Sequence, residues 1–117
     1  LNMSDILLIT QPMAREELKK IAEQRYGDMV KAVVDVARKL MAIGGELHAD
    51  EEMYLLENGS LQDDLWGINI YPDKSGEEMI EFDSMINLRP RLGNRSRGVE
   101  DAALRQKIVE VVKSLIK

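Results

Sequence analysis

The chain has 117 residues, of which 44% are hydrophobic and 32% charged, a composition typical of one folded domain. It contains no cysteine, which excludes disulfide frameworks, thiolate zinc sites and cysteine nucleophiles. With 16 basic and 21 acidic side chains, the net charge of −5 argues against attraction of the whole surface to nucleic acid or anionic lipid.

The N-terminal part of the chain predicts a short edge strand followed by an amphipathic helix. Residues 5–10 are mostly apolar and suit the strand. Over residues 14–26 the apolar side chains of Leu18, Ile21 and Ala22 recur at helical spacing, and Gly27 follows as a stop signal. We therefore expect the first helix at residues 14–26.

Residues 29–43 fit two different structures. Their apolar side chains form a helical stripe, which favours a single helix. The density of β-branched residues instead favours a strand, a turn at residues 37–39 and a second strand that ends at Ile43. This turn contains no glycine or asparagine, which weakens the hairpin interpretation. The residue pattern alone leaves both structures open.

The rest of the chain predicts a short helix, a β-hairpin and a long C-terminal helix. Residues 50–59 begin with Asp50 as an N-cap and end at Gly59, which is typical of a helix. Residues 65–71 and 80–89 alternate apolar and polar side chains and predict two strands. An apolar stripe of helical period runs along residues 100–116. The predicted fold class is α+β: residues 1–117 form a single domain, with an antiparallel β-sheet of about four strands and the N-terminal and C-terminal helices packed on one face.

Four strings occur in order along the chain: GGELHADEE, DLWGINIYP, IEFDSMINLRP and GNRSRGVED. Together they resemble a family of small uncharacterised prokaryotic proteins that is classed as a domain of unknown function. The resemblance covers residue 27 to the C terminus. It implies a turn at residues 37–39 and therefore favours the hairpin, but it implies no activity and no catalytic residues.

A first candidate site consists of Glu46, His48 and Asp50. Alternate side chains of an extended chain point to the same side, so this spacing brings one imidazole and two carboxylates together. Such a set suits a divalent metal ion as cofactor, with Asp35 as a further candidate ligand from a neighbouring strand. A metal held there would activate water in a hydrolase. The structural alternative is that Asp50 caps a helix and His48 only precedes it.

A second candidate site is a basic segment directly before the predicted C-terminal helix. Arg89, Arg91, Arg95 and Arg97 lie in a stretch that contains no acid. Guanidinium groups, free amide groups of a glycine-containing loop and a helix N-terminus all favour phosphate or carboxylate. The structural alternative is that the arginines pair with nearby acids and brace the loop.

A third candidate site is the polar side of the predicted hairpin, where amide and guanidinium side chains lie beside carboxylates and are able to hold a polar ligand. The residues of these last two sites that we predict to bind an anionic ligand are Arg89, Asn94, Arg95, Ser96, Arg97, Asn69, Asp83 and Asn87.

These sites predict a binding domain for an anionic small molecule or an acidic protein segment. One alternative is the metal-dependent hydrolase that uses Glu46, His48 and Asp50. Another is a protein–protein interaction module that docks or self-associates through a sheet edge. Sequence-specific binding of nucleic acid is not expected, because no aromatic residues interleave with the arginines.

The expected location is the cytoplasm, without a membrane partner. The longest purely apolar run, residues 6–9, is far too short to cross a bilayer. The sequence shows no secretory signal pattern. We also predict that residues 1–4 are disordered.

Overall fold

A computed structural model describes residues 5–117, so the predicted disorder of residues 1–4 lies outside the described residues. This part of the chain folds into one five-stranded antiparallel sheet with three α-helices, which confirms the α+β class with five strands rather than about four. The strands are β1 (Leu7–Ile9), β2 (Val30–Asp35), β3 (Leu40–Ile43), β4 (Leu65–Ile70) and β5 (Ile80–Glu81). The helices are α1 (Arg15–Arg25), α2 (His48–Glu57) and α3 (Ala102–Leu115). The strand order is β1-β3-β2-β4-β5.

Helices cover both faces of the sheet. On one face, α1 and α3 contribute Leu18 and Ile108 to a core that includes Ile68 of β4. The N-terminal and C-terminal helices thus share one face, as predicted. On the other face, which we call the α2 face, Leu55 packs against Val33. Between residues 5 and 117, no helix is long and apolar enough to cross a membrane.

Strands β2 and β3 form a hairpin, so the hairpin interpretation of residues 29–43 is correct. The fully buried carboxylate of Asp35 accepts hydrogen bonds from the amides of Ala37, at 3.0 Å, and Arg38, at 2.9 Å. Its second oxygen accepts one from the Ser60 hydroxyl at 2.7 Å. Lys39 adopts a φ of 58° and completes the turn. The Asp35 side chain therefore stabilises a turn that contains no glycine or asparagine. Its carboxylate is occupied by these hydrogen bonds within the fold.

The predicted strand at residues 80–89 is wrong beyond Glu81. Only Ile80 and Glu81 pair with β4, and the chain then forms short 3-10 turns at Met85–Asn87 and Pro90–Leu92. The reason is the side chain of Asn87, which bonds both backbone groups of Gly67 on β4. The Gly67 amide donates to Oδ1 at 2.8 Å, and Nδ2 donates to the Gly67 carbonyl at 2.9 Å. A side-chain amide thus forms the hydrogen bonds that a neighbouring strand would otherwise form with the backbone of β4 at Gly67.

Gly67 lies too close to Ser84 to accept a side chain. A Cβ atom on Gly67 would lie 2.5 Å from the Ser84 Oγ and 2.6 Å from its Cβ. Ser84 is 1% exposed, and its amide donates to the Arg97 carbonyl at 2.9 Å, so it has little freedom to move. The Gly67→Ala variant is therefore expected to lose about 2 to 3 kcal/mol of unfolding free energy, measured by urea denaturation.

The Ser84→Gly change removes the two closest atoms that the new Cβ would meet and leaves Ile86 Cγ1, at 3.2 Å. In a double-mutant cycle, we expect it to restore at least about 1 kcal/mol of the stability that Gly67→Ala loses. Additive effects of the two changes would contradict the steric explanation.

Candidate ligand-binding site

Helix α2 begins at His48, so the prediction of Asp50 as its N-cap is wrong by three residues. Its N-cap residue is Leu47, and no side chain caps its free amide groups. His48, Glu51 and Leu55 are its buried residues. Positions i, i+3 and i+7 share one face of a helix, so α2 brings an imidazole and a carboxyl group against the sheet.

The structure does not bring Glu46, His48 and Asp50 together. Their convergence requires an extended backbone, but His48 and Asp50 belong to α2, where residues at i and i+2 do not face the same side. Glu46 is exposed, whereas His48 is buried. Within residues 5–117, no group of three or more histidine, aspartate or glutamate side chains is arranged to hold a metal ion. The expectation of an extended segment at residues 46–50 is therefore corrected.

His48 is 7% exposed and bonds to the backbone of β4. Its Nε2 atom lies 2.7 Å from the Ile68 carbonyl oxygen. Because a carbonyl only accepts, Nε2 carries the proton and Nδ1 is the acceptor of the neutral ring. Burial lowers the pKa of His48 to about 4, with smaller lowering effects from the charges of Lys31 and Arg97. The imidazole is therefore a neutral polar group at pH 7.

Three polar side chains lie side by side on the α2 face. The sheet register pairs Lys31 of β2 with Asn69 of β4, and Asn69 with Glu81 of β5. Directly paired residues of neighbouring strands place their side chains next to each other on one face. Asn69 Nδ2 donates to Glu81 Oε1 at 2.8 Å, and the Tyr71 hydroxyl donates to the same oxygen at 3.2 Å. We call Lys31, Asn69 and Glu81 the polar row.

Two groups in the polar row have no matching partner among residues 5–117. The Glu81 carboxylate only accepts, which fixes the orientation of the Asn69 amide. Asn69 is 5% exposed, and its Oδ1 has no hydrogen-bond partner. Lys31 takes part in none of the ion pairs of this part of the chain, and its Nζ lies 5.4 Å from the centre of the Tyr26 ring. A buried acceptor without a hydrogen-bond partner costs about 1 to 3 kcal/mol, so a donor that reaches Asn69 Oδ1 would be favourable.

Glu51 is a second buried carboxyl group on the inner side of α2. It is fully buried, Oε2 accepts from the Gly45 amide at 2.9 Å, and Oε1 has no partner among the described residues. Burial raises the pKa of Glu51 well above its usual value, while the Gly45 amide and the charge of Lys31 oppose this. Sequence reasoning missed this residue as a buried group, although its helical spacing from His48 and Leu55 was the available signal.

Arg89, the first arginine of the basic segment, is buried in the fold. It is 7% exposed and donates to the Leu65 carbonyl at 2.7 Å and to Glu52 at 3.2 Å. Its guanidinium lies 4.8 Å from the centre of the Trp66 ring. These contacts connect the loop after β5 to α2 and β4. The Arg89 guanidinium is therefore occupied by contacts within the protein.

Two of the other three arginines are also paired within the chain. Arg91 pairs with Asp63, and Arg97 Nε lies 2.6 Å from Asp83 Oδ1. Arg95 is exposed, and its backbone amide donates to a Glu100 oxygen. Three of the four arginines are thus paired among the described residues, but Arg89 and Arg91 pair with acids distant in the sequence, and Arg97 alone pairs with an expected local acid, Asp83.

The predicted ligand residues Asn94 and Ser96 likewise bond within their own loop. Asn94 Nδ2 donates to the Asn87 carbonyl at 2.7 Å and to the Gly98 carbonyl at 2.8 Å, and Oδ1 accepts from the Glu100 amide at 2.9 Å. Ser96 Oγ accepts from the Gly98 amide at 3.2 Å. Together with Asn87, these side chains hold the loop in shape.

The structure brings the histidine-bearing segment next to one part of the basic segment. The charges of Asp83 and Arg97 both affect the pKa of His48, so this ion pair lies near the imidazole. We define the polar site as Lys31, His48, Asn69, Glu81, Asp83 and Arg97. Of the residues predicted to bind an anionic ligand, Asn69, Asp83 and Arg97 belong to it. Lys31 is an addition that the sequence did not predict.

The fold defines a small α+β domain, and the polar site lies beside the start of α2. A family model described as a protein of unknown function (DUF5674) matches residues 7–115, and the chain belongs to this family. This confirms the resemblance to an uncharacterised family. No curated protein and no solved structure matches the chain.

Proposed function

We propose that this domain binds a small anionic molecule that also carries a hydroxyl or amino group, and that it does so at the polar site. The observation that carries the proposal is the Asn69 amide, which is 5% exposed and oriented by Glu81 while its Oδ1 has no partner. The neighbouring Lys31 ammonium pairs with no carboxylate of the described residues. One ligand with an anionic group for Lys31 and a donor for Oδ1 complements both.

The other members of the polar site support this assignment. Arg97 is a second cation, which Asp83 holds in place through their ion pair. Because His48 is neutral at pH 7, it adds an acceptor without adding charge. A few convergent polar and charged groups of this kind orient the ligand in small-molecule sites. The proposal includes the cytoplasmic location that the sequence analysis predicts.

Glycolate and acetate form a matched pair of probes, because only glycolate carries a hydroxyl group beside its carboxylate. We expect glycolate to shift the backbone amide signals of Lys31, His48 and Asn69 in an NMR titration of the ¹⁵N-labelled protein. It should bind about three to ten times more tightly than acetate, since one added hydrogen bond contributes about 0.5 to 1.5 kcal/mol.

The Lys31→Gln variant should lose most of the glycolate response, because it removes the ammonium but keeps a long polar side chain. Lys20→Gln is the matched control, since Lys20 is an exposed lysine of α1 on the other side of the sheet. Equal affinity for the two probes, or an unchanged glycolate response in Lys31→Gln, would count against the proposed function.

A further inference from the structure

A groove with a volume of about 600 Å³ lies on the opposite face of the sheet from the polar site. Helix α3 forms one wall, and β5 with the residues on either side of it forms the other. The floor is apolar, since Ile80 is buried and Phe82 and Val109 are half-buried against the core. Its volume and its mostly apolar floor are typical of small-molecule sites, which add a few polar groups.

The N-terminal end of α3 lies at the Phe82 end of the groove. The Ser84 amide donates to the Arg97 carbonyl at 2.9 Å, and a Cβ atom on Gly98 would lie 3.5 Å from the Phe82 carbonyl oxygen. The segment before α3 is therefore held beside the residues that follow β5. Arg105 lies near the start of α3 and lines the groove, so it supplies the charge at this end.

The opposite end of the groove carries charges of both signs. An amide of residues 13–15 donates to the Leu115 carbonyl at 2.8 Å, and a guanidinium of the same residues donates to the Lys74 carbonyl at 2.9 Å. These bonds bring the last turns of α3, with Lys113, beside the turn that carries Glu77. Because these two charges oppose each other, the uncompensated positive charge of the groove lies at the N-terminal end of α3.

The Arg105 guanidinium is held in place on one side only. Its Nη1 donates to the Val99 carbonyl at 2.5 Å and to the Glu100 carbonyl at 3.2 Å. Within residues 5–117, Nε and Nη2 make no hydrogen bond and Arg105 forms no ion pair. The acids that precede it, Glu100 and Asp101, accept from backbone amides instead. The free edge of an oriented guanidinium suits a carboxylate, which binds it through two parallel hydrogen bonds.

We propose that this groove binds a monocarboxylate with a linear hydrocarbon chain. The carboxylate accepts from the free edge of Arg105, and the chain lies over Ile80, Phe82 and Val109. Arg105, Val109 and Lys113 follow each other at intervals of four residues along one side of α3, over about 12 Å. This length accommodates a chain such as that of octanoate, while the opposed charges at the far end do not attract a second carboxylate. The groove is separate from the polar site, so this inference does not rest on the proposed function.

Octanoate, butyrate and octylammonium test the two halves of the proposal. In NMR titrations of the ¹⁵N-labelled protein, with the probes kept monomeric, octanoate should shift the amides of Phe82, Arg105 and Val109. A fully buried methylene group tightens binding about fourfold. In this open groove, octanoate should therefore bind at least about tenfold more tightly than butyrate. Octylammonium has the same chain with the opposite charge and should bind there at least about tenfold more weakly than octanoate.

Two neighbouring alanines of α3 supply a matched pair of variants. Both are exposed, but Ala102 lines the groove and Ala103 does not. Ala102→Glu places a carboxylate three residues before Arg105, where it competes for the guanidinium, and should weaken octanoate binding at least about fivefold. Ala103→Glu adds the same charge and should leave octanoate binding unchanged. An acid in the first turn of a helix is favourable, so both variants should fold.

Four results would overturn the inference. Equal binding of octanoate and octylammonium would remove the role of Arg105, and equal binding of octanoate and butyrate would remove the role of the apolar floor. Equal effects of the two alanine variants would show that the added charge acts at a distance. Octanoate shifts that are confined to Lys31 and Asn69, and that Lys31→Gln removes, would assign the carboxylate to the polar site.

Discussion

The Asn87→Asp variant is expected to lose about 4 kcal/mol of unfolding free energy, a large part of the stability of an ordinary domain. Asn87 is fully buried, and its Nδ2 donates at 2.9 Å to the carbonyls of both Gly67 and Arg97. Aspartate places an oxygen where Nδ2 stands. That oxygen would face two carbonyl oxygens, and a single added proton satisfies only one of them. The loss should appear as a lower urea midpoint with an unchanged slope.

Asn58→Asp is the control for the same chemical change at an exposed position. The Asn58 amide donates one hydrogen bond, to the Tyr54 carbonyl at 2.7 Å, at the end of α2. We expect this variant to lose about 1 kcal/mol or less. If Asn87→Asp lost no more unfolding free energy than this control, the hydrogen bonds between the Asn87 side chain and Gly67 would not be important for stability.

Elements with local signals were predictable from the sequence. The apolar spacing of Leu18 and Ala22 in α1, and of Ile108, Val112 and Leu115 in α3, repeats with the period of a helix, and both helices lie within two residues of their expected ends. Strand β4 was predictable for the same reason, because its alternation is uninterrupted and Pro72 follows it. Each of these signals acts within a few residues.

Elements fixed by distant partners were not predictable. The β2–β3 turn depends on Asp35, whose carboxylate is held by the hydroxyl of Ser60 on another part of the chain. The end of β5 depends on Asn87 reaching Gly67. Neither contact leaves a pattern in the neighbouring residues, so periodicity at residues 29–43 stayed ambiguous and the alternation at residues 80–89 was misleading.

The polar site also contains some residues that local sequence signals identify and others that only distant contacts bring in. Asn69 follows from the alternation of β4, so the sequence identified it as a polar-face residue. Asp83 lies beyond the end of β5, so the alternation that selected it does not describe its structure. Lys31 joins them only through the register that pairs it with Asn69, and that register is set by the hydrophobic contacts of β2 and β4. The number of arginines in a segment also does not show how many of them are unpaired. Arg89 and Arg97 form ion pairs with acids of the same chain.

Lowering the pH from 6.5 to 4 is expected to destabilise the native protein by about 3 kcal/mol relative to a His48→Gln variant. The pKa of His48 is about 4 in the fold, below its ordinary value of 6.5, because burial disfavours the charged ring. The unfolded chain therefore binds a proton in this pH window before the folded chain does, and stability falls as the pH falls. Glutamine keeps a donor for the Ile68 carbonyl but does not titrate.

Comparison with His48→Gln is needed because Glu51 titrates in the opposite sense. Its pKa is raised in the fold by burial, so its contribution to stability is complete below about pH 4.5 and is lost as the pH rises. Both proteins keep Glu51, and the difference between their urea-unfolding profiles therefore isolates His48. The NMR signal of the His48 ring gives the same pKa directly and should titrate near pH 4. Parallel unfolding profiles with a ring pKa near 6.5 would mean that water reaches the imidazole, and the neutral acceptor that the polar site requires from His48 would then become a cation in mild acid.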